Sequence, residues 1–157
     1  MAETIHRDEV VHVVASGPLT VAAWWNPPAR PQIQALSRAN EAQRQRYGDR
    51  AALANLVADS DPRLPNELRE AAAMIAEHGD SGAAAAHVVL VRGLPGVAIR
   101  TFFNSMRLLA RPRVPTRVFD DREEAARWLA GILGRSDPSW TAARVSAVFD
   151  RALKRGA

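Results

Sequence analysis

Ala86-His87-Val88-Val89-Leu90-Val91-Arg92, followed by Gly93-Leu94-Pro95-Gly96, is the stretch on which the fold turns. The first seven residues are nearly continuously apolar and too few for a buried helix. A strand covered on both faces reads this way. The Gly-Leu-Pro-Gly break then leads into residues where Ile99, Phe102, Phe103, Met106 and Leu109 recur at helical spacing. A buried strand feeding an amphipathic helix is half of a βαβ unit, so an α/β fold is expected.

Upstream, Leu64, Leu68, Ala71, Ala72 and Ile75 predict a helix reaching about His78. Before it, Arg50–Ala58 is an apolar run at strand length, closed by Gly48-Asp49 on one side and turn-forming residues on the other. Its alanines favour helix, and the flanking breakers decide for strand. Ala29–Tyr47 is polar, with Ile33, Leu36 and Tyr47 as apolar contacts, and predicts a weakly amphipathic surface helix. Glu9–Ser16 and Leu19–Trp25, separated by Gly17-Pro18, predict an antiparallel hairpin.

Downstream, Pro115–Phe119 predicts a short strand, and Asp120 with Glu123 predicts a capping box. Ala125, Trp128, Leu129, Ile132 and Leu133 then make a buried helical stripe that Gly134 ends. Asp137-Pro138 opens a last helix carrying Val145, Val148, Phe149 and Leu153. The order ββαβαβαβα predicts a mixed, mostly parallel sheet of about five strands with helices packed on it. An extra C-terminal helix, about residues 137–155, completes a single domain spanning 1–157.

Composition narrows the chemistry. Cysteine is absent, which removes disulfides, thiolate nucleophiles and cysteine zinc sites. The net charge of +4 comes almost entirely from arginine, Lys154 being the single lysine. With the many alanines this fits the codon usage of a GC-rich bacterial genome. Met1–Glu9 is polar and no apolar run approaches the roughly 20 residues of a membrane span, so a soluble cytoplasmic protein is expected.

Two segments carry a likeness. Val88-Val89-Leu90-Val91-Arg92-Gly93-Leu94, a helix, then Val118-Phe119-Asp120-Asp121-Arg122-Glu123-Glu124-Ala125-Ala126-Arg127-Trp128-Leu129 resembles the C-terminal half of STAS-type domains. It is most similar to their SpoIIAA-like branch, over about residues 8–133. The resemblance implies a non-catalytic regulatory module that binds a protein partner, with small-molecule or lipid binding as an alternative. The phosphorylatable members carry an Asp-Ser-Ser-Gly turn, where this chain has Arg63-Leu64-Pro65-Asn66. Ser60, between Asp59 and Asp61, is the remaining phosphorylation candidate, and both neighbours repel a phosphate. A turn or cap role competes for it.

No catalytic constellation is assembled by spacing, and no enzyme, cofactor or metal is expected. His6, His12, His78 and His87 show no metal-ligand spacing. His12 and His87 fall in strands, where their rings converge only if those strands are neighbours. Gly93–Gly96 precedes a helix N-terminus but lacks the phosphate-binding fingerprints. The carboxylates of Asp120, Asp121, Glu123 and Glu124 suit a helix dipole. The charge pattern is more informative. From Ser81 to Phe119 there is no acidic residue, while Arg92, Arg100, Arg107, Arg111, Arg113 and Arg117 all fall there. Arg100, Arg107 and Arg111 share one helical stripe, about 120° from the Phe102/Phe103/Met106 face, and are expected to face solvent. An acidic protein partner is the expected ligand of Arg92, Arg100, Arg107, Arg111 and Arg113. Nucleic acid is the alternative. Trp25, Phe102 and Phe103 are candidates to line an apolar pocket. Trp24 and Trp25 should point to opposite faces, Trp128 inward, and Trp140 either onto its own domain or onto a second subunit. A homodimer through an open sheet edge or the last helix is expected.

Overall fold

A computed structural model describes residues 2–26, 28–59, 82–110 and 113–155. Six strands form one sheet in strict sequence order: β1 (Glu3–Arg7), β2 (Val11–Ser16), β3 (Leu19–Trp24), β4 (Ala52–Val57), β5 (Ala84–Val89) and β6 (Thr116–Phe119). The β1–β2 and β2–β3 pairs are antiparallel, and the β3–β4, β4–β5 and β5–β6 pairs are parallel. The α/β fold with a mixed, mostly parallel sheet is therefore as the alternation implies. It has one strand more than expected, because the polar segment before Val11 joins the edge as β1. The helix expected over residues 64–78 lies outside the described residues, as do Ser60, His78 and Arg111.

The helices are α1 (Arg30–Tyr47), α2 (Gly93–Ala110), α3 (Arg122–Leu133) and α4 (Ala142–Leu153). Side chains alternate across a strand, so the paired register divides the core in two. Leu19, Val21 and Ala23 of β3 face α3 and α4, together with Ala52, Ala54 and Leu56 of β4 and Ala86 and Val88 of β5. There they meet Leu129, Val145 and Phe149. Ala22, Trp24, Leu53 and Val57 face the other way, under α1 and α2, where Leu36, Ile99 and Phe103 cover them. The small alanines of β4 and β5 let the helices approach closely, which is why an alanine-rich run holds as a strand despite its helical propensity.

β5 begins two residues before the expected Ala86 and stops at Val89, short of the expected Arg92. Leu90 still donates its N–H to Val57 at 2.9 Å, but β4 ends there and the ladder has no further partner. Asp121, not Asp120, caps α3: its carboxylate accepts the Glu123 amide at 2.9 Å. The cap thus sits one residue later than the expected capping box, and Asp120 is an exposed bend residue after Phe119. Among the described residues no helix is long and apolar enough to cross a membrane.

Candidate functional site

α2 is the helix on which the arginine reading rested. Its inward side is set by Ile99, 1% exposed, and Phe103, 9% exposed, which pack on Val57 and Val89. Phe102 is only half-buried. The inward direction therefore turns by about 30° from the centre of the three expected residues, towards the arginines. Arg100 and Arg107 are accordingly half-buried at the flank of the helix and do not point straight into solvent. Arg107 Nη1 donates to the Thr116 carbonyl at 3.2 Å, tying α2 to the edge strand β6.

The sector left facing solvent carries three apolar side chains, with the exposed Thr101 among them and Asn104 and Ser105 at its borders. Leu94 is 84% exposed, Val97 48% and Leu108 71%. At about 100° per residue they fall within an arc of roughly 60°. Among the described residues only one other large apolar side chain is exposed, Ile5 on β1. Soluble surfaces scatter such residues singly, and here three lie along one helix face. Arg92 lies exposed just before α2 and Arg113 exposed beyond its other end. Arg100 and Arg107 thus flank the strip on one side, Arg92 and Arg113 lie beyond its two ends, and no carboxylate occurs from residue 82 to residue 119.

Arg117 belongs to a different surface. It projects from the opposite face of the sheet, where its guanidinium lies 5.1 Å from the Phe119 ring centre and 5.9 Å from that of Trp128. The expected pocket is likewise divided. Trp25 packs on the α3/α4 side and Phe102 and Phe103 on the α2 side, with the sheet between them, so they line no common cavity.

No family model, curated protein or solved structure matches this chain.

The histidines separate as the strand order requires, since β3 and β4 stand between β2 and β5. His12, fully buried, lies against α4: Nδ1 is 3.0 Å from the Ala152 carbonyl and Nε2 is 3.0 Å from Thr4 Oγ1. Nδ1 thus stands between a carbonyl that takes a proton and Arg7 Nη2, 3.3 Å away, which can only offer one. Burial pushes the His12 pKa down, the Ala152 bond opposes this, and Arg7 and Arg151 add to the depression. His87 lies on the other face in a buried polar chain. Trp24 Nε1 donates to Asn55 Oδ1 at 3.1 Å, and Asn55 Nδ2 is 3.4 Å from His87 Nδ1. The His87 ring stacks on Phe103, with centres 4.6 Å apart. Burial pushes its pKa down to about 4. Both rings therefore serve the interior as neutral hydrogen-bonding groups. Among the described residues no cluster of three His, Asp or Glu side chains is placed to hold a metal ion.

The remaining aromatic and glycine signals are structural. Trp24 and Trp25 take opposite faces, as adjacent strand positions must. Trp140 is 3% exposed and packs within its own domain, against the α3/α4 core. Gly96 sits in the first turn of α2, where a Cβ would lie 1.9 Å from the Val91 carbonyl oxygen. That close approach seats the helix on the end of β5 and accounts for the second glycine of the Gly-Leu-Pro-Gly turn. The strip of exposed apolar residues escaped the sequence reading because Leu94, Val97 and Leu108 are spread over four helical turns. Their mutual 3, 11 and 14 residue spacings were the available signal.

Proposed function

We propose that this protein is a non-catalytic interaction domain of SpoIIAA-like type that docks an acidic protein partner on the outward face of α2. The observation that carries this reading is the exposed Leu94, Val97 and Leu108 on one face of α2, with Arg100 and Arg107 on one flank and Arg92 and Arg113 beyond the ends. Interfaces combine an apolar centre with a polar rim, and arginine is enriched in them. A partner helix with apolar residues on one side and carboxylates beside them satisfies both parts. The sheet that opens antiparallel and continues parallel under helices on both faces supports the SpoIIAA-like reading.

Single-stranded nucleic acid is the weaker reading, because stacking platforms need exposed aromatic rings interleaved with cations. On this helix Phe103 faces the core and Phe102 is half-buried. The test is affinity recovery from the native host with the wild type, a Leu94→Asp/Leu108→Asp variant and an Arg92→Glu/Arg113→Glu variant. All four positions are exposed, so both variants should fold. A protein recovered by the wild type and lost with either variant supports the reading. Unchanged recovery by the Leu94/Leu108 variant overturns it, as does recovery of nucleic acid alone with steep salt dependence.

A further inference from the structure

The amino-terminal ends of the parallel strands hold a second feature, remote from the α2 surface. A recess of about 420 Å³ opens where the Gly17-Pro18 turn, the end of α1 and the α3–α4 connection meet. Tyr47 contributes an aromatic wall, the buried Trp140 lies beneath with Arg144 over its ring, and Arg50, Arg135, Asp49 and Asp137 complete the lining. We propose that this recess binds a small organic phosphate, a phosphomonoester attached to a flat or ring-shaped group.

Charge comes first. Arg144 is already placed: its guanidinium lies 3.8 Å from the Trp140 ring centre, Nη1 donates to Ser139 Oγ at 2.5 Å, and Asp137 stands 3.9 Å away. Hydrogen bonds from Ser139, then the fields of Arg144 and Arg50, hold the Asp137 carboxyl below its usual range. Asp137 is thereby committed to Arg144. Asp49 also lines the recess, and Asp137 feels Arg50 as well as Arg144, although neither Arg50 nor Arg135 makes an ion pair among the described residues and both are exposed at the rim. Arg50 rests 5.8 Å from the Tyr47 ring centre, which orients it without neutralising it. Arg50, Arg135 and Arg144 against Asp49 and Asp137 leave the recess a positive surplus, which suits a phosphomonoester whose terminal oxygens accept forked N–H pairs.

Size comes second. The volume falls within the range of small-molecule sites and far exceeds what a bare phosphate fills. The remainder is walled by the Tyr47 ring and by Ile132 and Leu133, which suits a ring more than a second charged group. Backbone geometry lets the turn close on Trp140. Gly17 has φ +52°, and a Cβ there would come within 3.4 Å of Trp140 Cζ2. Gln43 Nε2 donates to the Gly17 carbonyl at 2.7 Å and fixes the turn.

The test is titration of the full chain with adenosine 5′-monophosphate, ribose 5-phosphate and inorganic phosphate, followed by amide NMR shifts, with ribose and sodium sulfate as controls. The expected result is saturable shifts at Gly17, Arg50 and Arg135 through Trp140 for the two phosphomonoesters, and weaker binding of inorganic phosphate. Arg50→Ser and Arg135→Ser should each weaken binding about tenfold, the scale of one charged hydrogen bond. Neither side chain packs in the core, so the folded spectrum should persist. Three results overturn the proposal: no saturable shift at these amides with either phosphomonoester, equal binding by both arginine variants, or equal shifts with sulfate. Loss of this site leaves partner docking on α2 unaffected, so the two proposals fail separately.

Discussion

Acidification should weaken this fold through His87, by an amount the structure sets. Its Nδ1 faces the Asn55 amide nitrogen at 3.4 Å, so the neutral ring accepts there and carries its proton on Nε2. Protonation would set two donors against each other inside the core. Burial is the cause of the depression, from the ordinary 6.5 to about 4, with no charged neighbour contributing. Because the folded state binds the proton less readily, the stabilisation is complete above pH 6.5 and lost as pH falls towards 4. The linkage removes about 2 kcal/mol between pH 7 and pH 5, and about 3 kcal/mol once pH is below 4. Asp8 lies outside that window. Although partial burial pulls the other way, hydrogen bonds from His6 and from the Val11 and Val10 amides hold it down at about 2, so its contribution is lost only below its usual 3.8. His12 is also depressed and adds loss of the same sign, which makes a variant comparison necessary. Urea unfolding followed by tryptophan fluorescence at pH 7, 6 and 5 should show the wild type losing about 2 kcal/mol more than His87→Gln over that range. Any fixed cost of the substitution shifts both ends equally. Identical pH slopes for the two proteins would refute the burial argument.

Two further substitutions test local packing. Gly96→Ala puts a methyl group 1.9 Å from the Val91 carbonyl oxygen and should cost about 1–3 kcal/mol or more by overpacking. Gly131→Ala, on the exposed side of α3 with no atom within 4 Å of its Cβ, should instead stabilise by about 0.5–1 kcal/mol, both read from thermal unfolding. Asp121→Ala should cost about 1 kcal/mol by removing the α3 cap, while Asp120→Ala should stay within about 0.5 kcal/mol. Equal effects of the two aspartates in chemical denaturation would place the cap elsewhere.

Strand periodicity was the most legible part of the fold, because burial on both faces leaves valine-rich runs that few alternatives explain. The same alternation separated Trp24 from Trp25 correctly. β1 was hidden, since Glu3, Thr4, His6 and Arg7 carry no hydrophobic signal and an edge strand is held mainly through its backbone. Its register shift between Thr4 and His6 also breaks the alternation that would have betrayed it. On α2 the periodicity located the helix but not its rotation. Phe102 weighs as heavily as Phe103 in a helical projection, yet only Phe103 meets the His87 ring and enters the core. That one difference turns the arginines to the flank and leaves leucines outside. The recess at the strand ends was beyond sequence reading altogether, because Tyr47, Arg50, Arg135 and Arg144 come from segments far apart in the chain.

The contact of α4 with β2 and β3 has a consequence for synthesis. His12 reaches the Ala152 carbonyl across 140 residues, and Arg7 reaches that of Lys154 across 147. As the ribosome extends the chain, the sheet can grow strand by strand from its first hairpin. Phe149 and Val148 arrive only at the end to seal one side of it. Until then the nascent chain presents bare valine and leucine along β2 and β3, a natural substrate for a chaperone that shields apolar segments near the exit tunnel.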